Sequence, residues 1–261
     1  MKDVPKKRTK KVNKLKKLAL CLSAGIIIGN IATTKATAYT RIYTQLNQIA
    51  EQCFKGYNNG TRGPISINKG VLTKNGRRSD IYLICLSGTE FVKNQSTGLM
   101  TDLKAGFEQN SPFLLRLASV INSTIPKGAN LVFAGHSLGG MIAQQASGHA
   151  SIRNNYNILN VVTFGSPLIN PFGREGEIRR VGDTSDVVPY LSAMGTMLFL
   201  WQVGGLNRED GHYNGNSYNA HIKSYLRSDI WGAYDVLGRK WGGANIKFDP
   251  DQSKFYTAPT R

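Results

Sequence analysis

Residues 130–146 read NLVFAGHSLGGMIAQQA, and this stretch decides the fold. An apolar run, Leu131 to Ala134, ends in Gly135-His136-Ser137-Leu138-Gly139 and passes into Met, Ile, Ala and Gln. The five residues match G-x-S-x-G. With 28 glycines and 18 serines in 261 residues, that pattern is expected by chance about 0.2 times, so its setting must carry the reading. The setting is a short apolar strand before the serine and a helix-forming pattern after it, the strand–turn–helix context in which a serine is held at a sharp elbow. Gly135 and Gly139 suit a tight turn in which a side chain would collide, and Gly140 suits close approach of the helix to a neighbouring strand. At a helix N-terminus, free amides and the helix dipole favour developing negative charge. The plain alternative is a serine N-cap on an ordinary helix.

Working outward, apolar strands alternate with helical patterns. Ile42, Leu46, Ile49, Ala50 and Phe54 give helical spacing over 39–55. Residues 65–73 and 80–86 read as strands joined at Lys74-Asn75-Gly76, a hairpin signal. Residues 113–121 read as a buried helix ending near Pro126, followed by strand 130–134 and helix 138–149. Strands follow at 159–164 and 177–181, and helical character returns at 219–227 and 230–237. This alternation predicts an α/β fold, a mostly parallel central sheet with helices on both faces.

Length supports one domain, residues 39–261, with a substantial core. The net charge of +17 is lopsided: residues 1–38 hold ten Lys/Arg and one Asp, leaving 23 basic and 15 acidic residues, a net +8. The segment reads as a signal peptide: a basic start, an apolar run at 18–32, and Ala36-Thr37-Ala38 as a small-x-small cleavage site before Tyr39. The apolar run is shorter than the roughly 20 residues of a spanning helix. Cys21, preceded by Leu20 and only a three-residue apolar run, is a poor lipid-attachment site. The expectation is export to the cell envelope or medium. Cys53 and Cys85 then remain, compatible with a disulfide in an exported protein and equally with two buried thiols; Cys85, inside Ile-Tyr-Leu-Ile-Cys-Leu, favours the latter. No CxxC, HExxH or Cys/His cluster suggests a metal, and no cofactor motif appears. No basic helix or finger spacing suggests nucleic acid. The +8 suits peripheral contact with anionic lipid or cell-wall polymers, and more simply solubility.

A serine needs a base, and the base an orienting acid. Where a serine elbow sits on such a sheet, the order along the chain is Ser, then Asp or Glu, then His. His212 and His221 follow the elbow helix; His149 falls at its far end, and His136 inside the turn should point away from Ser137. For the acid, Val181-Gly182-Asp183-Thr184-Ser185-Asp186-Val187-Val188-Pro189 follows a strand end, where catalytic loops gather. Asp186 is the first choice and Asp183 the second, a turn-capping role being the plain reading of either.

These residues resemble the class 3, fungal-type lipases and their bacterial secreted relatives, over roughly residues 80–225. The resemblance rests on Gly135-His136-Ser137-Leu138-Gly139-Gly140, on Thr163-Phe164-Gly165-Ser166-Pro167, on Asp186-Val187-Val188-Pro189, and on Leu86-Ser87-Gly88-Thr89 with Asp102-Leu103. It implies an α/β-hydrolase fold and hydrolysis of lipid carboxylic esters by Ser137, Asp186 and His221, with Thr89 and the Leu138 N–H as oxyanion donors. His221, four residues before Tyr225, is similar to the family's His-x-x-x-Tyr helix start; His212, in a Gly/Asn-rich loop, is its rival. Ser87 stands where the family usually has Arg, Leu99 and Met100 stand where an aromatic usually precedes Asp102, and the lid region at about 90–101 is short. Met194 to Trp201 reads as core strand or acyl-pocket wall. Phospholipase, thioesterase or acyltransferase chemistry on the same site, and a silent lipid-binding homologue, are the alternative functions; oligomeric state is not legible.

Overall fold

Apolar strands that alternate with helices must bury both faces of the sheet they form, and the arrangement of the chain follows from that requirement. The computed structural model describes residues 40–57, 62–88, 110–169, 173–191 and 205–259. The signal-peptide expectation for 1–38, the lid region and Met194–Trp201 lie outside the described residues.

The chain runs β1 (Arg41–Tyr43), α1 (Leu46–Phe54), a 3-10 turn (Lys55–Tyr57), β2 (Ile65–Lys74), β3 (Arg77–Leu86), α2 (Pro112–Thr124), β4 (Asn130–His136), α3 (Leu138–Ala146), α4 (Ala150–Arg153), β5 (Asn157–Phe164), β6 (Glu177–Asp183), a 3-10 turn (Val188–Tyr190) and β7 (Leu206–Glu209). It continues through α5 (Ser217–Lys223), a 3-10 turn (Ser224–Leu226), α6 (Ser228–Trp231), β8 (Asn245–Phe248) and β9 (Lys254–Tyr256). Among the described residues the strands form one sheet, ordered β1-β8-β2-β3-β4-β5-β6-β7, with β9 on β2. β3 to β7 run parallel in sequence order, and β2 pairs antiparallel with β3. This is the α/β-hydrolase arrangement, mostly parallel at its centre with an antiparallel flank.

The continuous apolar character of β3 and β4 has its reason in this placement. On β4, Leu131 and Phe133 enter the core made with α2 and α3, while Val132 and Ala134 enter the core made with α1 and residues 225–237. Alternation of side chains across a strand puts one set on each face. Among the described residues no helix is long and apolar enough to cross a membrane.

The Asn75-Gly76 turn forms as expected, with φ of 52° and 73° at the two residues, the left-handed pair a two-residue hairpin needs. Other expectations are corrected. The first helix begins at Leu46, because Ile42 lies in β1 and a capping box between Gln45 and Gln48 starts the helix. The helix expected over 138–149 stops at Ala146, and His149 caps α4 instead. Helix over 230–237 ends at Trp231; Tyr234, Val236 and Leu237 are still buried, but from an irregular segment packed on the sheet. The short strands β1, β7, β8 and β9 have too few residues to show a period.

Candidate active site

Every described candidate residue follows the carboxyl end of a parallel strand or packs against one, the edge at which open α/β sheets carry their sites. Ser137 directly follows β4 with φ 56° and ψ −124°, a conformation that L-residues hold only under constraint. The constraint is visible around it. A Cβ on Gly135 would strike the Gly139 backbone, one on Gly139 would strike the carbonyls of Leu86 and Ser87, and one on Gly140 would strike Ser166. The Ser137 N–H donates to the Phe164 carbonyl at 2.9 Å, pinning the turn to the end of β5. Leu138 is the first residue of α3, so its amide is among those without an acceptor inside the helix. Gly88, after β3, lies so close that its own Cβ would stand 3.0 Å from Ser137 Cβ. Thr89 lies outside the described residues.

After β6, the two candidate acids part company. Asp186 Oδ2 lies 2.8 Å from His221 Nδ1, and Asp186 Oδ1 accepts the Val188 N–H at 3.0 Å. Asp183 instead accepts from the Ser224 hydroxyl at 2.6 Å and the Ser185 N–H at 2.8 Å. Asp183 is therefore a brace for the loop and for the segment after α5. Both carboxylates are fully buried. Since the carboxylate accepts from Nδ1, the basic nitrogen of a neutral His221 is Nε2. The rival His212 sits at φ 60° on the surface, its side chain 80% exposed and paired with Asp210.

His221 is brought to the elbow by packing. Its ring centroid lies 4.6 Å from that of His136, and His136 Nε2 lies 2.9 Å from the His221 carbonyl oxygen. Gly165, at φ 55°, makes room: a Cβ there would come within 2.7 Å of Asp186 Oδ2 and 3.0 Å of His221 Nδ1. The serine elbow, the Asp186–His221 pair and the Gly88 loop thus meet at one end of the sheet. The class 3 lipase family profile matches residues 92–195, which contain Ser137 and Asp186. Over those residues the chain is similar to the class 3 lipases. It is a carboxylic ester hydrolase. His221 and Gly88 fall outside the matched span, so their place in the site rests on geometry. No curated protein matches the chain. Among solved structures, Lip2 lipase from Yarrowia lipolytica is similar at 16% identity, over 55% of this chain and 72% of that one, with a TM-score of 0.32.

Three buried groups around this site escaped the sequence reading as site residues. Tyr225 donates its hydroxyl to Asp186 Oδ2 at 2.6 Å, so that oxygen serves both Tyr225 and His221. Burial first, and then the Asp186 charge, hold the Tyr225 phenol well above its ordinary value, so it remains a donor. Its spacing from His221, four residues, would suit one face of a helix. His136 does point away from Ser137, into a pocket of Phe54, Tyr57, His221 and Tyr225. Burial, then the neighbouring His221, keep its imidazole well below the ordinary value. Arg180, with no exposed surface, donates to the carbonyls of Ser166 at 3.1 Å and Pro189 at 2.6 Å. It ties the loop after β5 to the loop that carries Asp186. Burial, then Arg174, lower its pKa to about 10, which leaves it charged at neutral pH. Nothing in a single sequence marks such a brace. Cys53 and Cys85 are both free and buried. Among the described residues no group of three His, Cys, Asp or Glu is placed to hold a metal.

Proposed function

We propose that the protein is an exported serine esterase or lipase that cleaves the carboxylic esters of lipids through Ser137, His221 and Asp186. Ser137 Oγ attacks the ester carbonyl while His221 Nε2 takes its proton; Asp186 holds the imidazole through Nδ1 and balances the imidazolium. The tetrahedral oxyanion is met by the Leu138 N–H and by Thr89. His221 then returns the proton to the leaving alcohol, and water, activated by the same base, frees the acid from Ser137. The observation that carries this reading is the buried 2.8 Å contact between His221 Nδ1 and Asp186 Oδ2, packed against an elbow whose serine sits at φ 56°. Export rests on the sequence pattern of residues 1–38, with a mature start at Tyr39.

The deciding experiment is hydrolysis of p-nitrophenyl esters, triglycerides and phospholipids by wild type, Ser137→Ala, His221→Ala and His212→Ala, with a fluorophosphonate probe on each. Ser137→Ala and His221→Ala are expected to lose activity and His212→Ala to keep it. Folded wild type that takes no label would mark a silent lipid-binding homologue. The ester panel separates triglyceride from phospholipid preference, and mass spectrometry of the exported N-terminus tests cleavage before Tyr39.

A further inference from the structure

The site contains a buried hydrogen-bond chain that none of the hydrolytic steps uses. Tyr57 ends the 3-10 turn after α1, and its hydroxyl oxygen lies 2.6 Å from Gly88 N and 2.7 Å from His136 Nδ1. On the other edge of the same imidazole, His136 Nε2 lies 2.9 Å from the His221 carbonyl oxygen. A carbonyl oxygen only accepts, so the ring proton is on Nε2. Burial keeps the ring neutral, which makes Nδ1 an acceptor and directs the Tyr57 proton to it. The Tyr57 oxygen then accepts from Gly88. The direction is fixed throughout: Gly88 N–H to Tyr57, Tyr57 O–H to His136, His136 N–H to the His221 carbonyl. Phe54 holds both rings in place, its centroid 4.4 Å from that of His136 and 5.4 Å from that of Tyr57.

We propose that Tyr57 is a positioning residue for ester hydrolysis, fixing Gly88, the residue before Thr89, beside Ser137 and, through His136, the backbone of His221. The proposal rests on the reading of Thr89, next to Gly88, as oxyanion donor and of His221 as base. Three segments far apart in the chain, after β3, at the last residue of β4 and in α5, have to keep register at one point. A hydrogen-bonded phenol that touches the first two directly and the third through one ring does this without reaching the substrate. Oxyanion stabilisation depends on donors already in place when charge develops, and a misplacement of about 1 Å costs on the order of 100-fold in rate. The loss should therefore fall on kcat.

Tyr57→Phe removes the hydroxyl and keeps the ring packing. The expected result is a drop in kcat on a soluble p-nitrophenyl ester of about tenfold or more, with KM within about twofold, in protein whose melting shows it folded. In a Thr89→Ala background the same change should cost less than about threefold further, because both act on one donor loop. An unchanged kcat, a loss confined to KM, or a full additive penalty on Thr89→Ala overturns the proposal. If Tyr57→Phe does not fold, the His136 variants decide. His136→Gln can accept from Tyr57 and donate to the His221 carbonyl, and should keep most of kcat, whereas His136→Leu should not; equal activities overturn the proposal. A fully active Thr89→Ala overturns it while leaving Ser137 in its role. A fully active Ser137→Ala overturns the hydrolytic reading itself.

Discussion

Ser137 holds φ 56° in a turn packed so closely that a Cβ on Gly135, Gly139 or Gly140 would strike neighbouring atoms, and that strained turn projects a hydroxyl from the end of β4. Gly135→Ala and Gly139→Ala would put a methyl group against backbone atoms rather than against yielding side chains. Each is expected to abolish soluble folded protein or, where it folds, to abolish labelling of Ser137 by a fluorophosphonate, a loss measured on the same sample as its melting curve. The two aspartates give a second comparison at this scale. Asp186→Asn changes what His221 Nδ1 can donate to, and the same change in a trypsin-type triad costs about 10⁴ in kcat; a loss of that order is expected here by steady-state kinetics on a p-nitrophenyl ester. Asp183→Asn, whose carboxylate meets Ser224 and Ser185 instead, is expected to lower the melting temperature and keep most of kcat. The serine and its glycines were legible in the sequence because they act on one another within a few residues. The sequence also ranked Asp186 above Asp183, but the partner each carboxylate meets was not legible, since it depends on which way each points once β6 is seated beside β5.

At the scale of elements, two ion-bearing clusters hold β6. Inside, the Arg180 guanidinium joins the Ser166 and Pro189 carbonyls. Hydrogen bonds of charged groups contribute about 1.5–3 kcal/mol each, so Arg180→Met is expected to cost a few kcal/mol in denaturant unfolding and, by loosening the loops of Gly165 and Asp186, to reduce kcat as well. Outside, Glu177 gathers Arg239, Arg179 and Lys74. Burial alone would raise its pKa; the hydrogen bonds and charges of Arg239 and Arg179 outweigh that and bring it from 4.5 down to about 2. A carboxylate with a lowered folded pKa stabilises the fold above its unfolded value, and that contribution is lost as pH falls from 4.5 towards 2. Glu177→Gln is expected to flatten the wild-type loss of stability in that window, as read from thermal melts at stepped pH. The hairpin of β2 and β3 and the β4–α3 unit were legible because turn residues and apolar runs are local. The early end of α3 and the irregular path of 232–237 were not, because burial against the sheet, rather than helical period, sets them.

Across the whole molecule, the chain closes its site by bringing distant segments to one edge of a sheet with a core on each face. His136 is part of that closure and also records it. Its folded pKa is lowered by burial, so below its ordinary value of 6.5 the unfolded chain binds a proton that the folded chain refuses, and stability is expected to fall as pH drops below 6.5. Comparing stability at pH 7 and pH 5 in wild type and His136→Gln checks this: the variant should lose less. Trp231, fully buried beneath Tyr225, anchors the second core, and Trp231→Ala is expected to cost about 3–5 kcal/mol by denaturant titration. By itself the sequence determined the strand–elbow–helix around Ser137, the parallel rhythm that follows it and the order of candidate acid and base, because apolar period, glycine and turn chemistry act over a few residues. Between His221 and His212 the sequence leaned on a resemblance; only tertiary structure shows His221 meeting Asp186 across 35 residues, and Tyr57 meeting His136 across 79. Such meetings depend on the register of parallel strands and on how helices seat against them, and no local pattern encodes the direction in which a side chain leaves the end of a strand.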